Sequence, residues 1–309
     1  MNVVTRLREY TVRYRDMFNL NLLYKSGEIY TIDLNILEGE VELIIIQLSD
    51  LHMWAGHNSE GIDKRIQGIF DEVEKFNDNN IVCVICGDVT NRGNPDGYIC
   101  AKTFCDKLSS KFELKSFRYV FCPGNHDIAT EEWRKFARFD RFTWDITKKT
   151  NYAFSNHNVQ TEVIHDWEFL IINSVYHGDR NYGRVDINLL KEKLDQSRND
   201  NKIFILHHHL IPILKKERSA TENAYELFLL AEKYGVKLIL HGHQHMYINI
   251  SVGKTPCQII GVGSLLKNSG TDYSNQFIII SLTDSLIGDF KCFRYNGDCV
   301  ASGTMGGFI

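Results

Sequence analysis

Five times along this chain an apolar, β-branched run gives way to a short polar motif. Val41–Leu48 leads into Asp50-Leu51-His52, and Ile81–Cys86 leads into Gly87-Asp88-Val89-Thr90-Asn91-Arg92-Gly93. Phe117–Cys122 precedes Gly124-Asn125-His126-Asp127, Lys202–Leu206 precedes His207-His208-His209, and Val236–Leu240 precedes Gly242-His243-Gln244-His245. Short apolar runs of this kind read as buried strands. Each motif therefore sits where a strand ends and a loop begins. Ligand sites in open α/β sheets lie beyond the carboxyl ends of the strands, which is where these motifs fall.

Between the runs the spacing turns helical. Gly61–Phe76 carries Ile62, Ile66, Ile69, Val73 and Phe76 at helical intervals, and Pro95–Leu108 turns Tyr98, Phe104 and Leu108 inward. The first 125 or so residues thus read β-α-β-α-β, the signature of an α/β fold with a parallel sheet. Further on, Tyr152–Ser155, Val159–Ile164 and Glu168–Asn173 read as antiparallel strands, and Asp186–Arg198 and Thr221–Tyr234 as helices. Short strands are expected near Met246–Val252, Gln258–Val262, Gln276–Leu282 and Asp289–Tyr295, with Ala301–Ile309 a glycine-rich tail. Residues 1–40 carry no motif; the alternation from Ile29 to Leu37 marks them as an extension with an extra strand or hairpin, before one domain over 41–309.

One stretch admits two readings. In Glu131–Asn151 the aromatics Trp133, Phe136, Phe139, Phe142 and Trp144 alternate with Arg134, Lys135, Arg138, Arg141, Lys148 and Lys149. It is either a cap that contacts substrate or an amphipathic helix that buries its aromatics and solvates its bases.

Composition narrows the class. With 309 residues, 43% apolar and 24% charged, the chain can bury a sizeable core without disulfides. A net charge of −4 disfavours a broad surface for nucleic acid. Cys83 and Cys86 are spaced as C-x-x-C, yet within a strand they point to opposite faces, so the eight cysteines read as free thiols. Met1–Tyr14 is charged and lacks an apolar leader core, and no segment approaches a membrane span, so a reducing cytoplasm is the expected setting.

The motif residues are metal donors. Asp50 and His52, two apart at a strand end, project to one side and can chelate one ion; His243 and His245 repeat the spacing. Asp88 offers two oxygens and can bridge two ions, Asn125 supplies an amide oxygen, and His207 completes the set. Four imidazoles, two carboxylates and an amide suit two divalent or mixed-valent ions of manganese, iron or zinc, because magnesium and calcium prefer all-oxygen sites. Two ions roughly 3.5–4 Å apart serve in-line displacement at phosphorus, with a bridging water as the attacking group. His126 is expected to donate a proton to the leaving or a phosphate oxygen, and Asp127 to orient that imidazole.

With these motifs in this order, from about Glu42 to Gly263, the chain resembles the calcineurin-like metallophosphoesterases. The resemblance implies a four-layer α/β/β/α sandwich. It implies one metal on Asp50, His52, Asp88 and His245, a second on Asp88, Asn125, His207 and His243, and His126 at the phosphate. The family's small-molecule phosphodiesterases usually carry a proline where this chain has Leu210, which leaves His208 an alternative to His207. Asp127 and Asn91 depart from the patterns of protein phosphatases and purple acid phosphatases. Asp-x-His, Gly-Asp-x-Thr and Gly-His-x-His are similar to the bacterial class III cyclic nucleotide phosphodiesterases. The expected activity is hydrolysis of a small phosphodiester or nucleotide. The alternatives are a nuclease, a phosphomonoesterase and a silent metal-binding scaffold.

Overall fold

The computed structural model describes residues 20–25, 28–33, 42–57, 59–76, 78–131, 133–213, 217–253, 257–266, 275–283, 287–294 and 298–304. The chain divides into two compact units, Met1–Glu40 and Val41–Ile309. In the first, β1 (Leu20–Lys25) and β2 (Glu28–Asp33) pair antiparallel, from Leu20 opposite Asp33 to Lys25 opposite Glu28. Residues 34–37 of the strand expected there lie outside the described residues.

The second unit begins as its sequence periods dictate. β3 (Leu43–Leu48), α1 (Ser59–Val73), β4 (Asn80–Cys86), α2 (Pro95–Ser110) and β5 (Ser116–Cys122) follow in turn. Pro95 opens α2 where no backbone donor is needed, and the Asn94 side chain accepts from Asp96 N–H as its cap. β3, β4 and β5 run parallel, joined by the two helices. Then come α3 (Ala137–Thr147), β6 (Val159–Ile164), β7 (Trp167–Ile172), α4 (Ile187–Gln196), β8 (Asn201–Ile205), α5 (Ala224–Lys233), β9 (Val236–His241), β10 (Ile248–Val252) and β11 (Cys257–Gly261). β12 (Gln276–Leu282), β13 (Ile287–Arg294) and β14 (Cys299–Thr304) return to the first sheet. The two six-stranded sheets have the orders β14-β13-β12-β3-β4-β5 and β10-β11-β9-β8-β7-β6.

Alternation along the strands sets the layers. Phe169 and Ile171 of β7, Ile203 and Ile205 of β8, and Leu238 and Leu240 of β9 share one core with β3, β4, β5 and β12. The residues between them, Leu170, Ile172, Phe204 and Ile239, pack with Leu190 and Leu194 of α4 and Leu227 and Leu230 of α5. On the far side, Ile66, Ile69 and Val73 of α1 and Phe104 and Leu108 of α2 join the first core. The result is helix, sheet, sheet, helix: the four-layer sandwich that the resemblance implies. Each fully buried Leu, Ile or Phe contributes about 1.5–3 kcal/mol. Trp167, on β7, is fully buried, and its Nε1–H donates to the Thr283 carbonyl at 3.0 Å, linking the sheets.

Two expectations are corrected, and one open choice is decided. Tyr152–Ser155 is no strand: Thr150–Tyr152 is a 3₁₀ turn, and the Asp140 carboxylate accepts from Phe154 N–H at 2.8 Å and Ser155 N–H at 2.9 Å. A side chain has taken the donors a ladder would need. Cys299–Thr304, read partly as tail, is β14 and pairs with β13; its glycine and small residues hide the strand pattern. The aromatic–basic stretch packs as an amphipathic helix. Phe136, Phe139 and Phe142 are buried, with Phe142 ring centroids 5.3 Å from both Tyr98 and Phe121. Trp133 and Trp144 stay exposed. Among the described residues, no helix is long and apolar enough to cross a membrane.

Candidate metal centre

All five motifs meet at one edge of the sandwich. Backbone bonds tie the strand ends together: Asp50 N–H donates to Gly87 O at 3.1 Å, His52 N–H to Asp88 O at 2.9 Å, and Gly242 N–H to His207 O at 3.1 Å. A Cβ on Gly124 would overlap the Asp88 carboxylate and backbone, so only glycine lets these two loops touch. The local backbone is strained. Asp50 (φ 52°), His52 (45°), Asp88 (53°), His243 (70°) and His245 (54°) all lie in the left-handed region, which costs non-glycine residues about 1–2 kcal/mol each. Strain kept at five site residues marks a geometry held for use.

The donors form two groups that share Asp88, and Asp50 of the first also lies within 4.8 Å of Asp88 and His207. In the first, His245 Nε2 lies 3.1 Å from Asp50 Oδ1 and 3.3 Å from His52 Nε2. His52 Nε2 lies 3.7 Å from Asp50 Oδ1 and 3.8 Å from Asp88 Oδ2. In the second, His207 Nε2 lies 3.4 Å from Asp88 Oδ1, 3.0 Å from Asn125 Oδ1 and 3.1 Å from His243 Nδ1. Asp88 turns one oxygen to each group. The Cys86 carbonyl holds His207 Nδ1 at 2.8 Å, which puts the ring proton there and leaves Nε2 free to coordinate. His208, the alternative, instead has Nδ1 on Ser174 Oγ at 2.9 Å, with its ring centroid 4.3 Å from that of His243.

The charges point the same way. Asp50 and Asp88 are buried, and their ion-pair partners among the described residues are histidines. Burial opposes their ionisation, but His245 beside Asp50 and His207 beside Asp88 hold both carboxyls below the usual range. Burial likewise opposes charge on His207, yet Asp88 carries its pKa up to about 9. Burial and the charge of His207 push His243 down to about 3. Two carboxylates facing imidazole nitrogens at 3.1–3.8 Å fit divalent cations, which would replace the imidazole protons and take up those lone pairs.

His126 stands edge-on to His52, ring centroids 4.8 Å apart, and its backbone N–H donates to Asp88 Oδ1 at 2.7 Å. A third possible donor group is His52, Asp88 and His126. The expected Asp127–His126 bond is absent among the described residues. Asp127 accepts from Gly124 N–H (3.0 Å), Thr90 N–H (3.1 Å) and Val89 N–H (3.2 Å), while His126 Nδ1 is buried without a partner. Successive side chains of the 3₁₀ turn Asn125–Asp127 diverge, so Asp127 clamps two loops rather than an imidazole. Burial and the nearby Asp88 push its carboxyl up to about 7.

Sequence reasoning missed Glu217. Its carboxylate lies 2.9 Å from His209 Nε2 and accepts from Gln244 Nε2 at 3.0 and 2.9 Å and from Ile213 N–H at 3.0 Å. It thus holds the residue between His243 and His245. Nothing local marks it, since Gln244 lies 27 positions away. Over the donors opens a cavity of about 400 Å³, lined by His126, Asn125 and His245 and by Trp54, His57 and Asn91.

Known proteins share this arrangement of elements. The sequence model of the calcineurin-like phosphoesterases matches residues 43–247. The 3',5'-cyclic adenosine monophosphate phosphodiesterase CpdA of Haemophilus influenzae is 27% identical over 216 residues, covering 66% of this chain and 70% of that protein. A probable cyclic nucleotide phosphodiesterase of Moraxella catarrhalis is 26% identical over 209 residues, covering 65% and 70%. A dimetal phosphatase from Danio rerio has the same fold, with a TM-score of 0.58 at 13% identity over 86% of this chain and 99% of that one. So does GAP50, the anchor in the inner membrane complex of Plasmodium, with a TM-score of 0.54 at 15% identity over 87% and 90%. The matched span runs from the start of β3 to just past His245 and takes in every strand end at the site. The chain belongs to the calcineurin-like phosphoesterase family and is a metal-dependent hydrolase of phosphoric esters.

Proposed function

We propose that this protein is a dinuclear phosphodiesterase that hydrolyses a small phosphodiester, with 3',5'-cyclic nucleotides as the first class to try. The observation that carries the reading is the sharing of Asp88 between two donor groups, with His126 beside it. Asp50, His52, Asp88 and His245 would hold one ion, and Asp88, Asn125, His207 and His243 the other. Ions bound there would polarise a phosphoryl oxygen and bring the pKa of a water near neutrality.

The chain's own groups do the rest. Asp88 sets the distance between the two groups by offering each an oxygen. His126 lines the cavity, and burial holds its pKa below the ordinary value, against the pull of Asp88. From there it would reach the leaving oxygen and donate to it in its protonated form. The cyclic nucleotide class is supported by the names of the curated relatives. The scaffold alternative lacks support, because every donor expected of a working site is present alongside His126. The eight free cysteines favour a reducing cytoplasm.

The test is hydrolysis of bis(p-nitrophenyl) phosphate against p-nitrophenyl phosphate, with Mn²⁺ added to metal-stripped protein. Faster turnover of the diester is expected. Preference for the monoester would move the protein to the phosphatases, and inertness toward both would favour the scaffold.

A further inference from the structure

The cavity over the donors has a second wall that the hydrolytic reading leaves unused: Trp54, His57 and Asn91. Trp54 follows His52 by two residues, so the loop that sets a donor also sets the indole. That loop is pinned to the strand end carrying Asp88, because Met53 N–H donates to Val89 O at 2.9 Å and Asn91 N–H to Met53 O at 3.2 Å.

The indole is 51% exposed, yet its pose is built. Trp54 N–H donates to His57 Nδ1 at 3.3 Å, and His57 N–H donates to Trp54 O at 3.1 Å. The two rings lie 5.8 Å apart, tilted by 59°. A Cβ on Gly56 would overlap Cη2 and Cζ3 of the indole, so glycine at 56 leaves room for the ring. An aromatic face held beside the candidate site, half in water, is a stacking surface whose open side has no ring partner among the described residues. With Nδ1 accepting, the neutral His57 ring carries its proton on Nε2, a donor for a ring nitrogen or carbonyl. Burial and the nearby Arg65 hold the pKa of that ring below its ordinary value.

We propose that Trp54 and His57 form a nucleobase subsite, in which the indole stacks on the base of a nucleotide and His57 donates to its edge. The proposal deepens the phosphodiesterase reading and rests on it for the place of the phosphate. The donor groups hold the phosphoryl end, and the aromatic wall selects the substituent. A stacked base is sequence-tolerant, because every base presents a π-face.

The experiment compares binding of AMP and of ribose 5-phosphate to Mn²⁺-loaded protein by calorimetry, since the two ligands differ only by the base. Wild type should bind AMP about tenfold more tightly. Trp54→Ala should abolish that preference while leaving ribose 5-phosphate affinity and metal content unchanged, and Trp54→Phe should keep most of it. Equal affinities in wild type, or a preference that survives Trp54→Ala, would overturn the subsite. A base preference without turnover of bis(p-nitrophenyl) phosphate would uphold the subsite and overturn the diester reading.

Discussion

Gln47 donates from Nε2 to the His241 carbonyl at 3.1 Å and to the Ile260 carbonyl at 3.1 Å, so a buried amide of β3 is bonded to β9 and β11 across the sandwich. Asp50 lies three residues beyond Gln47, and His243 two beyond His241. Gln47→Leu keeps the volume and leaves both carbonyls buried without this donor. It should lower unfolding free energy by about 1–3 kcal/mol, read as a lower urea midpoint at unchanged slope. An unchanged midpoint would mean that water replaces the amide.

His126→Ala should reduce turnover of bis(p-nitrophenyl) phosphate by about 10²–10⁴-fold, the usual range for a lost general acid. Metal content should stay at the wild-type value, since both donor groups stand without it. Loss of metal together with activity would make His126 a ligand, as its place beside His52 and Asp88 permits.

Glu217→Ala should weaken metal binding by about 10–100-fold, as loss of groups that orient ligands does elsewhere. The cause would be release of Gln244 and with it the loop that carries His243 and His245. Titration calorimetry with Mn²⁺ measures this directly. Glu217→Gln keeps an acceptor for Gln244 and should lose less; equal losses would assign the effect to charge.

Burial pushes the thiols of Cys257 and Cys292 up to about 12. The unfolded thiol ionises near pH 8.5, so the folded pKa is the higher of the two. Their contribution to stability is therefore complete below about pH 8.5 and is lost as pH rises toward 12, at about 1.4 kcal/mol per pH unit for each thiol. The urea midpoint should fall between pH 8 and pH 10, and a double alanine variant should fall less steeply. In native protein a thiol reagent at pH 8 should modify exposed Cys299 well before either.

The parallel strands and their helices were legible because burial on both faces leaves unbroken runs such as Leu43–Leu48, and the crossover helices keep their 3.6-residue period. The candidate donors that the strand ends bring together were legible because chelation needs fixed local spacing, as in Asp50 with His52. What was hidden is non-local. The bond from Glu217 to Gln244 and the clamp from Asp127 onto Val89 and Thr90 depend on how separate loops meet, and no window of sequence contains both partners. The turn at Tyr152 was misread for a related reason: its buried aromatics look like a strand, but Asp140, a dozen residues earlier, takes the backbone donors.

The donors are split between the sheets in an uneven way. Asp50, His52, Asp88 and Asn125 follow β3, β4 and β5, whereas His207, His243 and His245 follow β8 and β9. On a ribosome the first sheet's share emerges early, and it is mostly oxygen: two carboxylates and an amide against one imidazole. That half-site suits hard cations such as magnesium. Three of the four imidazoles arrive about 80 residues or more later. Three of the four imidazoles that would favour a softer ion thus come from the second sheet, after the oxygen donors have been made.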